Sequence, residues 1–137
     1  MQLIAYVNFD GQAREAMDFY AQALGGRITG RFTYGESPMA GEMPPDSHDK
    51  VMHTCLEVDG GGTLMGADGP PPHAAGSTTV NIMTDTPEEA ERVFAALAEG
   101  GTVHMPIAET FWAHRFGALQ DRYGKGWMVN CLKPDDG

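Results

Sequence analysis

Apolar and polar residues alternate along the first stretch of the chain. Leu3, Ala5, Val7 and Phe9 fall on one face of an extended segment, with Ile4, Tyr6 and Asn8 on the other. The spacing then changes. Ala16, Met17, Tyr20 and Leu24 recur at helical intervals and predict an amphipathic helix that Gly25 and Gly26 stop. Strand-like runs return at Arg27–Tyr34, at Lys50–Val58 with Met52, Leu56 and Val58 in step, and at Thr63–Ala67. A glycine turn at Gly60–Gly62 joins the last two into a hairpin.

The same grammar then repeats. Val80 and Ile82 share a face opposite Thr79, Asn81 and Met83. Thr86 reads as an N-cap, Pro87 as the first helical residue and Glu89 as the far end of a capping box. Ala90, Val93, Phe94 and Leu97 form the apolar stripe, and Gly100 and Gly101 the stop. Strands are predicted at Thr102–Glu109, His114–Gln120 and Gly126–Leu132, with a turn at Asp121–Gly124. Shifting the first half by 75 positions sets Asp10 on Asp85, Phe19 on Phe94, Gly25 on Gly100 and Gly26 on Gly101. Ungapped matches at one offset indicate two diverged copies of a βαβββ unit. The expected fold class is α+β, with two such units forming curled, mainly antiparallel sheets and helices on the outer face. Residues 1–137 form one domain in this reading: unit one at 1–68, a proline-rich linker at 69–76 and unit two at 77–134. Residues 35–49 lack periodicity and read as a loop of functional length.

Charge narrows the partners. Nine basic against 19 acidic residues give a net charge of −10, which argues against nucleic acid and against anionic membrane surfaces. No apolar run approaches the ~20 residues of a membrane span, and the start reads as a strand rather than a signal peptide. Two cysteines, Cys55 and Cys131, make neither a disulfide framework nor a zinc ligand set. Buried free thiols and a cytoplasmic location are expected.

The densest chemistry lies in ETFWAHRFGALQDRYGKGWMVN, Glu109–Asn130. Trp112, Phe116 and Trp127 suit a core or the wall of a cavity for a flat apolar ligand. His114 is either a half-exposed strand residue or a pocket acid/base. Arg115 either grips a carboxylate or phosphate or pairs with Asp121, Glu109 or Glu57. Asp121 fits a turn role. His53 and Glu57 share a strand face, roughly 13 Å apart. The Gly60–Gly62 turn follows no strand-to-helix step, so it is no phosphate loop.

The doubled unit, the AxxFYxxALGG helix end at 16–26, GESPM at 35–39, VMHTCLEV at 51–58, TLMGAD at 63–68 and the segment from Glu109 together resemble a known family. This is the vicinal oxygen chelate superfamily, also called glyoxalase/bleomycin resistance/dioxygenase, and within it the PhnB-like proteins. These are often labelled 3-demethylubiquinone-9 3-methyltransferase-like. The chain has no glycine-rich strand–turn–helix to cradle a nucleotide cofactor, so that label finds no support in it. The resemblance implies cavity-lining sheets and a homodimer, commonly with loops contributed across subunits. In metal-using members the ligands stand on the first and last strands of each unit. The corresponding positions here are Ile4 or Tyr6, Met65, Ser77 or Thr79, and Met128, none of them histidine or carboxylate. The expected function is therefore binding of a small molecule without the usual metal. Its cavity is lined by Tyr6, His53, Met65, Trp112, His114, Arg115, Phe116 and Met128, and closed by the Glu36–Met43 loop. No cofactor is expected. The alternative is a divalent-metal lyase, isomerase or dioxygenase with displaced ligands drawn from His53, Glu57, His104 and His114.

Overall fold

The computed structural model describes residues 4–38, 40–69 and 79–134. The chain divides into two compact units, residues 1–76 and 77–137. Unit one runs β1 (Ala5–Phe9), α1 (Ala13–Leu24), β2 (Arg27–Thr33), β3 (Val51–Glu57) and β4 (Thr63–Asp68). Unit two runs β5 (Thr79–Met83), α2 (Pro87–Ala98), β6 (Thr102–Ala108), β7 (Ala113–Gln120) and β8 (Gly126–Leu132). The sheet orders are β1-β4-β3-β2 and β5-β8-β7-β6. In each, the first and last strands pair in parallel and the other two pairings are antiparallel. The α+β class and the doubled βαβββ unit are as expected. Residues 70–76 of the expected linker, together with Leu3, Met39 and Ser77, lie outside the described residues.

Each helix packs one face of its own sheet. α1 buries Ala13, Ala16, Met17, Tyr20 and Ala23. Leu24 is only half-buried: seven residues on from Ala16 the helix has returned to the same face, whereas eight overshoot it. α2 buries Ala90, Val93, Phe94 and Leu97, as its pattern predicts. Tyr20 is fully buried and Phe19 is not, so Tyr20 is the counterpart of Phe94, and the helices align one residue short of the glycine match. The difference is absorbed at the helix ends. α1 runs directly into left-handed Gly25, while α2 inserts an extended Glu99 before Gly100.

The repeated glycine pair has two separate causes. Gly25 and Gly100 have φ of 71° and 78°, a region L-side chains avoid. Gly26 and Gly101 instead lie against a neighbouring strand. A Cβ on Gly26 would sit 2.6 Å from the Glu57 carbonyl oxygen, and one on Gly101 would meet the Gln120 carbonyl oxygen.

The helix N-termini are held differently. In unit two the Thr86 hydroxyl accepts the Glu89 N–H at 3.1 Å, the predicted cap. In unit one Gln12 provides no side-chain cap. Asp68, from the end of β4, takes its place. Its carboxylate accepts the Ala13 N–H and the Val51 N–H, each at 2.9 Å, and the residue is 4% exposed. An anion at a helix N-terminus is favoured by the helix dipole, and this one also ties α1 to the start of β3. The Asp68 carbonyl accepts the Tyr34 hydroxyl at 2.8 Å.

The segment between β2 and β3 folds on itself. Single helical turns occur at Tyr34–Glu36, Ala40–Glu42 and Pro45–Ser47. Gly35 N–H donates to the His48 carbonyl at 3.0 Å, Tyr34 N–H to the Lys50 carbonyl at 3.0 Å, and His48 Nε2–H to the Ala40 carbonyl at 2.9 Å.

Candidate functional site

Strand alternation decides what each sheet offers on the face its helix leaves free. In β3, Thr54 and Leu56 are fully buried toward the helix side, so His53, Cys55 and Glu57 point the other way. Pairing extends this face into rows. Tyr6, Met65, Cys55 and Gly30 stand side by side on β1, β4, β3 and β2. The next row holds Asn8 beside Ala67 and His53 beside Phe32. Tyr6 Oη lies 3.4 Å from His53 Nδ1, and the two rings are 6.0 Å apart between centroids. Phe32 flanks the same imidazole at 5.8 Å. Tyr6 is 49% and Phe32 40% exposed; His53 and Met65 are half-buried. Burial, with a smaller contribution from Tyr34, raises the Tyr6 pKa above the usual phenol value, so the hydroxyl keeps its proton at neutral pH. It donates to Nδ1 when that nitrogen is bare, and accepts when Nδ1 is protonated.

Unit two presents the matching rows with other residues. Asn81, Met128, Ala118 and Met105 form the first, and Met83, Asn130, Phe116 and Ala108 the second. The buried Asn130 amide donates to Asn81 Oδ1 at 2.6 Å. Asn81 Nδ2 donates to Met83 Sδ at 3.3 Å. Trp112 stacks obliquely on Phe116 at 5.5 Å and edge-on to Phe111 at 4.8 Å.

Of the residues read from the sequence, Tyr6, His53 and Met65 come together on unit one, and Phe116, Met128 and Trp112 on unit two. Arg115 does not join them. It turns toward α2, where Nε donates to Glu91 Oε1 at 3.1 Å and Nη1 to the His114 carbonyl at 2.6 Å. Its partner is thus none of Asp121, Glu109 and Glu57. Those three have their own partners: Glu109 pairs with Lys133 at 3.1 Å and Glu57 with Arg27 at 3.4 Å. Asp121 accepts the Tyr123 and Lys125 N–H groups at 2.8 and 3.0 Å and the Trp127 indole N–H at 2.8 Å. The turn reading of Asp121 holds, and the same carboxylate anchors a core tryptophan that is 1% exposed. His114 sits half-buried at the register shift between Ala113 and Arg115. His104 is exposed on β6.

The metal positions can now be read from the ladder. Tyr6 stands beside Met65, and Asn81, rather than Ser77 or Thr79, beside Met128. Phenol, amide and thioether groups do not fit the zinc, manganese or ferrous ions that imidazole and carboxylate hold. Among the described residues no three of His, Cys, Asp and Glu converge as a metal site.

The sequence pattern does not reveal Phe32 or the Asn81–Asn130 hydrogen bond, and Cys55, expected to be buried like Cys131, is only half-buried. The β2 register shifts between Ile28 and Gly30, and such a bulge reverses which face Phe32 joins. Counting alternate residues from Arg27 assigns it to the wrong side.

The profile of the "Glyoxalase/Bleomycin resistance protein/Dioxygenase superfamily" matches residues 3–129. Protein YjdN of Escherichia coli is 30% identical, over 97% of this chain and 97% of its own. The crystal structure of protein PA1353 from Pseudomonas aeruginosa is 41% identical with a TM-score of 0.85, covering 98% of this chain and 99% of that one. The PhnB protein of Bacillus cereus is 25% identical with a TM-score of 0.76, covering 96% and 100%. Among the described residues no helix is long and apolar enough to cross a membrane. By profile, relatives and strand order together, the chain belongs to the glyoxalase/bleomycin resistance/dioxygenase superfamily, in its PhnB-like branch.

Proposed function

We propose that the protein binds a small, flat, largely apolar molecule on the helix-free face of unit one. Tyr6, Phe32 and Met65 supply the apolar contacts and His53 the polar handle. The observation that carries this reading is the imidazole of His53, hydrogen-bonded to Tyr6 and flanked by Phe32 on a partly exposed sheet face. Aromatic faces hold flat ligands, and one oriented ring nitrogen fixes their direction. The matching rows of unit two, with Phe116 and Met128, carry no ionisable group. The usual divalent ion plays no part in this reading, because the residues at its positions do not fit it. We take the working form to be a cytoplasmic homodimer, which light scattering tests as twice the chain mass.

Titration with the fluorescent dye anilinonaphthalene sulfonate tests the site. Tyr6→Ala, His53→Ala and Phe32→Ala should each weaken dye binding by about tenfold, the loss of one aromatic contact. Arg115→Ala should leave it unchanged. Equal affinity in the first three, with a loss in Arg115→Ala, would contradict the assignment.

A further inference from the structure

We propose that Cys55, Met65 and His53 form a site for one soft monovalent metal ion, of the copper(I) or silver(I) class. The inference goes beyond the small-molecule reading and does not depend on it. Cys55 is a free, half-buried thiol. It pairs directly with Met65 across β3 and β4 and with Gly30 across β3 and β2. Directly opposed residues on one sheet face have Cβ atoms about 5 Å apart, so thiol and thioether reach a common point. His53 stands two residues along the same strand face, about 7 Å away. On the other side of Cys55 the chain leaves space: a Cβ at Gly30 would meet nothing within 4 Å.

The imidazole is already oriented. Tyr6 Oη engages Nδ1 at 3.4 Å, which turns Nε2 away as the free nitrogen. A partner that holds the non-ligating nitrogen is the usual companion of a metal-bound histidine. With Nδ1 protonated and donating to Tyr6 Oη, Nε2 carries the lone pair that a metal needs. Thiolate, thioether and imidazole together are a soft donor set. With two sulfur donors and no carboxylate, this set suits copper(I), which is satisfied by two or three soft ligands. The net charge of −10 favours a cation. Binding exchanges one proton for one metal ion: the Cys55 S–H bond breaks, the sulfur–metal bond forms, and the proton passes to solvent. No electron is transferred.

The test is an anaerobic titration of the reduced protein with copper(I) in competition with the chelator bicinchoninate. One copper per chain should transfer to the protein, with one proton released. Cys55→Ser should abolish the transfer. Met65→Leu, which keeps the side-chain volume, should weaken it, as should His53→Gln. Tyr6→Phe should weaken it by roughly tenfold through the imidazole. Cys131→Ser, at the buried second cysteine, should leave it unchanged. In nitrogen NMR, copper should move the His53 Nε2 resonance and spare Nδ1. Three results would overturn the proposal: no transfer from the chelator, transfer lost in Cys131→Ser but kept in Cys55→Ser, or a metal-induced shift at Nδ1. Anilinonaphthalene sulfonate affinity should survive Cys55→Ser, so failure of this site and failure of the small-molecule reading are separately visible. Circular dichroism confirms that each variant is folded.

Discussion

The two units share a scaffold and differ in what they display on it. Their sheets have the same order and the same mix of pairings. Position for position, the helix-free rows of unit one read Tyr6, Met65, Cys55, Gly30 and Asn8, Ala67, His53, Phe32. Those of unit two read Asn81, Met128, Ala118, Met105 and Met83, Asn130, Phe116, Ala108. Only Met65 and Met128 agree. On the helix side, by contrast, Ala16 matches Ala90, Tyr20 matches Phe94 and Leu64 matches Trp127, all apolar and buried. Packing against a helix constrains volume and polarity at every position. The other face carries no such constraint, so a duplicated unit can acquire a thiol, an imidazole and a phenol there while its twin holds thioethers and amides.

Substitutions at the shared scaffold should have the largest effects, and should be alike in the two units. Gly26→Ala and Gly101→Ala both drive a Cβ into a carbonyl oxygen of the adjoining strand. Each should lower stability by about 3 kcal/mol in urea unfolding. A marked difference between them would break the equivalence of the units.

The helix anchors should separate the units next. Asp68→Ala removes one buried carboxylate from two backbone N–H groups and should cost about 2 to 3 kcal/mol. Thr86→Ala removes a single cap bond and should cost about 1 kcal/mol. Equal losses would mean that Asp68 is no more than a local cap. Below these comes the exposed ion pair of unit two. Glu91→Ala should change stability by less than about 1 kcal/mol, and less still at high salt.

The smallest effect compares two carboxylates that follow matching strands. Glu36, after β2, is held below its ordinary pKa by hydrogen bonds from the Thr33 backbone N–H and hydroxyl. Glu109, after β6, is lowered first by a hydrogen bond from Lys133 and then by its charge. With both folded pKa values depressed, each contribution is present above the unfolded carboxyl range and is lost as pH falls through the folded value. NMR titration should find both below the ordinary value. Salt should raise Glu109 more than Glu36, since the leading contribution to Glu36 comes from its own loop.

Much of the fold was legible because period and punctuation are local. The alternation of β1, the Thr86–Pro87 start of α2 and the doubled glycines all report on their own neighbourhoods. What the sequence concealed depends on distant pairing. A bulge in β2 turned Phe32 onto the site face. The carboxylate that serves α1 sits 55 residues from the N–H it receives. Arg115 found Glu91 because α2 crosses β7, which spacing along one strand does not reveal. Sequence singles out His53, yet its significance rests on Tyr6 arriving from a strand two places away in the sheet.

The most direct test places a ligand on one unit or the other. Methionine methyl and aromatic ring resonances, assigned and followed by NMR during titration with anilinonaphthalene sulfonate, report both faces at once. Met65, Tyr6, Phe32 and His53 should shift first and most, with Met83 and Met105 little changed. Shifts centred on Met83, Met105 and Trp112, with Met65 silent, would contradict it.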